Sequence, residues 1–134
     1  MIKDIPLPKV QHVTMAVVRE KDNLLQNSWK VYLLNRNEVA LENVLIASTG
    51  YGEHNGEEQK TSTLRHFLHQ ANPLSATLVE PIDNSVFHLN NEYWLSYYIG
   101  NQLYDKRFVF LPGSICEDNL TAIPELGAEG VLHS

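Results

Sequence analysis

Three groups of side chains have types and spacings that could do chemistry. His54, Glu57 and Glu58 fall close together in a glycine-rich stretch. One imidazole and two carboxylates could share a divalent cation such as zinc. A closed site needs four ligands, however, and a pliant loop loses entropy in supplying them, so a solvated loop is the competing expectation. His66 and His69 stand three apart, a spacing that shares a face on a helix but splits between faces on a strand. Their surroundings read as strand, which spoils chelation, and nothing orients either one as a base. Cys116 follows Ser114 at an expected helix start, where a helix dipole can lower a thiol pKa. Its alternative is a small buried apolar side chain, since no histidine is paired with it. The serines, aspartates and histidines are dispersed, with no Gly-x-Ser-x-Gly elbow and no phosphate-cradling glycine loop. No catalytic residue and no cofactor is expected.

A different chemistry belongs to Trp94, Tyr98 and Arg107. Alternation places both aromatics on the polar face of a hairpin, with Arg107 opposite Trp94, a geometry for a cation–π pair. Sheet-borne aromatics can stack nucleotides, but only Lys106-Arg107 form an adjacent basic pair. Tyr, Trp and Arg are the commonest anchors of protein interfaces, so a protein-contact surface is the expectation.

These residues must be positioned by something, and the dominant pattern is alternation with period two. Turn residues break it every eight to fifteen positions, the spacing of an all-β sandwich. Strands are expected at about 10–19, 28–35, 41–49, 61–68, 74–80, 92–99 and 103–111, with Lys21-Asp22-Asn23 as the first turn. Val13, Met15 and Val17 should share one face of the first strand, and Trp29, Val31 and Leu33 one face of the second. Residues 50–60 carry three glycines and three glutamates without an aliphatic side chain and read as a mobile surface loop. Val86 to Leu89 could form one helical turn crossing between sheets.

The clearest element is the hairpin around Gly100-Asn101. If those two form the loop, Ser96 opposes Asp105 and Trp94 opposes Arg107. Tyr93, Leu95, Tyr97, Ile99, Tyr104, Phe108 and Phe110 then turn inward. Ser114 and Glu117 match a capping box and predict a short helix at about 115–121. The tail, 112–134, alternates weakly.

The chain has 134 residues and a mass of 15.2 kDa, the size of one domain. Ten basic against sixteen acidic residues leave 10 − 16 = −6 at neutral pH. That charge, without a basic run, argues against a general nucleic-acid binder and against an anionic membrane surface. No apolar run is long enough for a membrane span, and Asp4 and Pro6 interrupt the stretch a signal peptide would need. One cysteine excludes an internal disulfide. A single cytoplasmic β-sandwich over 1–134 is expected.

Two resemblances add to this. Leu68 to Ala76 resembles the loop before strand E of many bacterial immunoglobulin-like modules, which implies an immunoglobulin-like antiparallel sandwich of about seven strands. Lys3-Asp4-Ile5-Pro6, Trp29 to Asn35, Leu41 to Ile46, Lys60 to His66, Asn91 to Leu111, Asn119 to Pro124 and Gly130-Val131-Leu132 together resemble a family of short bacterial proteins. Its members often carry the label "phenylalanyl-tRNA synthetase alpha subunit". The resemblance implies a translation- or tRNA-linked role and assigns no residue an activity.

The leading expectation is a non-catalytic interaction or accessory domain with an unidentified protein partner. A metal-binding protein or small enzyme using His54, Glu57, Glu58, His66 or His69 is the alternative. The first strand is poorly guarded by charge, and the tail carries Ile123, Leu126, Val131 and Leu132 without an assigned partner. Either the tail packs on its own sandwich, or edge and tail meet across a twofold homodimer, the arrangement favoured here.

Overall fold

A computed structural model describes residues 7–21 and 27–134. The Lys3–Pro6 segment and the Asp22-Asn23 part of the expected first turn lie outside the described residues. The described chain forms two antiparallel sheets. The strands are β1 (Val13–Lys21), β2 (Asn27–Asn35), β3 (Leu41–His54), β4 (Glu57–Lys60), β5 (Leu64–Ala71), β6 (Ser75–Ile82), β7 (Asn90–Ile99), β8 (Gln102–Phe110), β9 (Thr121–Ile123) and β10 (Ala128–His133). The first sheet runs β6-β2-β1-β10-β9. The second runs β4-β3-β7-β8, with β5 also on β3.

Alternation decides which face each strand buries. Val13, Met15 and Val17 of β1 and Val31 and Leu33 of β2 face the second sheet and are buried, with Trp29 packed at their margin. They meet Val44 and Ile46 of β3, Tyr93, Leu95 and Tyr97 of β7, and Phe108 and Phe110 of β8. The hairpin register is the expected one, with Trp94 opposite Arg107, Ser96 opposite Asp105 and Tyr97 opposite Tyr104. Tyr97 and Tyr104 stack with ring centroids 5.1 Å apart.

Three expectations are corrected. Residues 50–60 do not form a loop, because β3 continues to His54 and returns as β4. Asn55 and Gly56 have φ of 54° and 80°, the paired left-handed conformations of a tight hairpin turn. Gly50 follows the close approach of Thr61, whose Cγ2 would lie 3.1 Å from an added Cβ. Second, the helix at 115–121 is absent, and only a three-residue 3-10 turn, Glu117–Asn119, occurs there. The Ser114 hydroxyl donates to the Leu111 carbonyl, and Glu117 pairs with Arg19 at 2.8 Å, so neither completes a capping box. Third, the tail is structured on its own chain. β10 pairs with β1 from Met15↔His133 to Arg19↔Glu129, and β9 with β10. Leu126, Ala128 and Leu132 cover the outer side of β1 and β2 around Ala16, Val18 and Leu34.

Candidate functional site

Strand β6 is the edge of the first sheet, and its pairing with β2 slips by one residue. Val31 opposes Glu80 while Tyr32 opposes Leu78, leaving Val79 as the extra residue of a bulge. Strict alternation would put Glu80 on the outer side with Leu78. The bulge turns it inward, the re-aiming of a side chain that such irregularities accomplish. Glu80 is only 9% exposed, so its carboxylate must find partners in the facing sheet.

It finds them on three neighbouring strands. Ser48 Oγ of β3 donates to Glu80 Oε1 at 2.7 Å, and His66 Nε2 of β5 lies 2.6 Å from the same oxygen. Tyr93 Oη of β7 makes a long contact of 3.4 Å to Oε2. Burial first, and the Glu80 charge second, push the Tyr93 hydroxyl far above its ordinary pKa, so it remains a donor. A cavity of about 170 Å³ opens beside the cluster. Ser48, Glu80 and Tyr93 line it together with Thr61, Asp83 and Asn91.

This cluster is not built as a nucleophilic triad. Ser48 and His66 both engage the same glutamate oxygen, whereas nucleophile activation needs serine bonded to histidine and histidine bonded to carboxylate. The donors serve the carboxylate. Sequence reasoning weighed His66 together with His69, placed Tyr93 in the core, and missed Glu80 and Ser48. The signals were a glutamate and a serine at alternating positions, with nothing local to show a bulge or a facing strand.

The other sequence-derived residues lie elsewhere. His54 stands opposite Glu57 across the β3–β4 hairpin, whereas Glu58 stands opposite Glu53, so the two glutamates point to different faces. The His54 ring packs on His88 at 4.8 Å between centroids, and His88 Nε2 lies 2.7 Å from Gln59 Oε1. Among the described residues, no three His, Cys, Asp or Glu side chains gather closely enough to hold a metal ion. His66 faces the interior and His69 lies outside, edge-on to Phe67 at 5.1 Å. Cys116 is half-buried before the 3-10 turn, which is too short to supply a helix dipole.

Trp94 and Tyr98 are on the outer face of the second sheet, 44% and 38% exposed. Arg107 stands opposite Trp94, but its guanidinium bonds Glu92 and the Tyr51 hydroxyl instead of lying over the indole. A carboxylate and a phenol oxygen in reach outcompete a ring face, since charge-assisted hydrogen bonds are the stronger contact. The register extends this surface. Leu45, 44% exposed, stands beside Phe67, 55% exposed, and across from Ser96. Arg65, Ala47, Trp94 and Arg107 form the next row. Sequence reasoning found the β7 and β8 members of this face. It missed Leu45 and Phe67, which reach it only through the pairing of β3 with β5.

Among the described residues, no helix is long and apolar enough to cross a membrane. Compared with protein-family models, curated proteins and solved structures, the chain matches none.

Proposed function

We propose that this protein is a non-catalytic interaction module whose outer second-sheet face docks a protein partner. One observation carries the proposal: Phe67, Leu45, Trp94 and Tyr98 are exposed together on three adjoining strands. Isolated surface apolar residues are ordinary, but a contiguous group containing Trp and Tyr has the composition of an interface centre. The row through Trp94 ends in Arg65 on one side and Arg107 on the other. Arg65 forms no ion pair with another described residue, so the complementary surface is apolar with acidic groups at its margin. Arg107 is already paired with Glu92, so Arg65 is the cation that an acidic group of a different protein would meet.

The support for this face is, on the same proposal, immunoglobulin-like. β2 pairs with β6 in one sheet while β3, β7 and β8 pair in the other, which parallels the B–E and C–F–G pairings of that fold. The synthetase resemblance makes a translation-linked role a secondary proposal, and the same experiment addresses it. A photocrosslinking amino acid is placed at 94, and as a control at 30 on the other sheet, in cells that make the protein. The expected result is a discrete protein adduct from position 94 alone, lost when Phe67→Asp is added. The partner so identified should bind the purified chain, with Trp94→Ala weakening it by about 2 kcal/mol or more. Equal adducts at both positions would overturn the proposal, and an RNA adduct at 94 would support the translation-linked role in its place.

A further inference from the structure

The Glu80 cavity is independent of the outer face, since it opens between the sheets where β6 approaches β5. Its lining is one-signed. Glu80 and Asp83 supply carboxylates, Ser48, Thr61 and Tyr93 supply hydroxyls, and among the described residues no lysine or arginine lines it. The Ser85 amide donates to Asp83 at 2.8 Å and holds that carboxyl below its ordinary pKa, so it is charged at neutral pH. At Glu80 the acceptor capacity is unevenly used. A carboxylate offers about four lone-pair sites, two on each oxygen. Among the described residues, Oε1 has two close partners, Ser48 and His66, whereas Oε2 has only the long Tyr93 contact. Both members of that long contact, Glu80 and Tyr93, line the cavity. Leu64, Ile82 and Val86 give the rest of the wall an apolar surface.

We propose that this cavity binds the ammonium end of a small primary amine, with Glu80 Oε2 as the anionic acceptor, the hydroxyls around it, and the apolar wall against a short alkyl stem. Its volume of about 170 Å³ is enough for an aminoalkyl group. An anion is excluded by the two carboxylates. Among the described residues, no group of three His, Cys, Asp or Glu side chains gathers here to hold a metal ion. A neutral alcohol could enter the same space but would offer Oε2 only a neutral hydrogen bond, whereas an ammonium offers the stronger charge-assisted one.

The test is an NMR titration of the intact protein with n-propylammonium chloride, alongside n-propanol and sodium chloride. The expected result is saturable shifts of Thr61 and Asn91 signals, with a Kd on the order of 10 mM for so small a ligand. Binding of n-propanol to the wild type, and of n-propylammonium to Glu80→Gln, should each be about tenfold weaker or more. The wild-type alcohol comparison stands even if Glu80→Gln fails to fold. Equal binding of alcohol and ammonium would overturn the proposal, leaving an apolar slot. Shifts confined to Glu53, Glu57 and Glu58 on the β3–β4 hairpin, or no saturation at all, would overturn it too and leave the cluster as a polar tie between the sheets. None of these outcomes depends on the outer-face proposal.

Discussion

Glu80 draws donors from three adjacent strands of the facing sheet, so each donor both solvates a buried carboxylate and ties one sheet to the other. Ser48 is the buried donor with the shorter reach, and Ser48→Ala removes a charge-assisted bond without adding bulk. The expected cost is about 1.5–3 kcal/mol, read from urea denaturation, while Ser48→Thr, which keeps the hydroxyl, should recover part of it. A loss below about 0.5 kcal/mol would mean that water replaces the hydroxyl at no net cost. Asn35 is a second residue of this kind. Its Nδ2 donates to the carbonyls of Val39, Ala71 and Asn72, and its Oδ1 accepts from the Asn37 amide. Asn35→Asp would turn a carboxylate toward three carbonyls, so it should destabilise more than Asn35→Ala at pH 7. Burial among acceptors would raise the folded pKa of that new Asp, so its penalty should shrink as the pH falls through that value. Thermal melts at pH 7 and pH 4 measure both. Of these residues the sequence showed identity and little else: Asn35 was legible as a turn residue, but its partners Ala71 and Asn72 are distant in sequence. Glu80 read only as the last residue of the strand expected at 74–80.

Elements were legible where alternation and turn chemistry agreed. β7 and β8 satisfy both, and their register follows from Gly100-Asn101 and the inward aromatics. The end of β3, from Gly50, and β4 satisfy only the second, because Asn55-Gly56 is a strong turn signal between segments of glutamates and glycines that show no apolar face. β9 and β10 satisfy neither, β9 having only three residues and β10 carrying a glycine, and they gain their stability from β1. Gly130 explains why β10 carries a glycine. An added Cβ would lie 2.7 Å from Ile123 Cδ1 and 2.8 Å from the Val17 carbonyl oxygen. Ile123 can turn aside, but the carbonyl belongs to the β1 backbone. Gly130→Ala should therefore cost about 1–3 kcal/mol in chemical denaturation, and adding Ile123→Val should restore only a part. A neutral Gly130→Ala would show that β10 can withdraw from β1. The β9–β10 turn is also held by Arg36 and Glu125, 2.7 Å apart. The hydrogen bond from Arg36 is the main cause that keeps the Glu125 carboxyl below its ordinary pKa. A depressed folded pKa stabilises above the unfolded value and loses that contribution as pH falls through the folded one. Glu125→Gln should thus cost up to about 1 kcal/mol at pH 7, discounted because the pair is partly exposed, and nothing at pH 2. Paired melts at the two pH values test the sign.

At the scale of the molecule, the question is whether any edge demands a second copy. The first sheet ends in β9, only three residues long, and in β6, which carries Pro81 and a bulge. Short strands, proline and bulges are the devices that blunt an edge. The second sheet ends in β8, with Asp105, Lys106 and Arg107, and in the divided edge of β4 and β5, with Glu57, Glu58, Lys60 and Arg65. Charge guards both. The edge of β1 that suggested a twofold interface is occupied by β10 of the same chain, and the apolar tail residues lie on β1 and β2. Exposed apolar side chains remain on the outer face around Trp94, and outside it at Val39, Leu74, Leu78 and Leu111. With the edges guarded, light scattering should give a mass near the single-chain 15.2 kDa at all concentrations up to about 100 µM, since contacts without a complementary charge pattern are weak. Deleting 121–134 should reverse that behaviour. The loss uncovers Ala16, Val17 and Val18 and opens a nine-residue strand, so the shortened chain should aggregate or fail to fold. If the full chain instead has twice the single-chain mass, Trp94→Asp separates two causes. Dissociation by that substitution places the twofold contact on the outer face. A dimer indifferent to it would arise from exchange of β9 and β10 between copies.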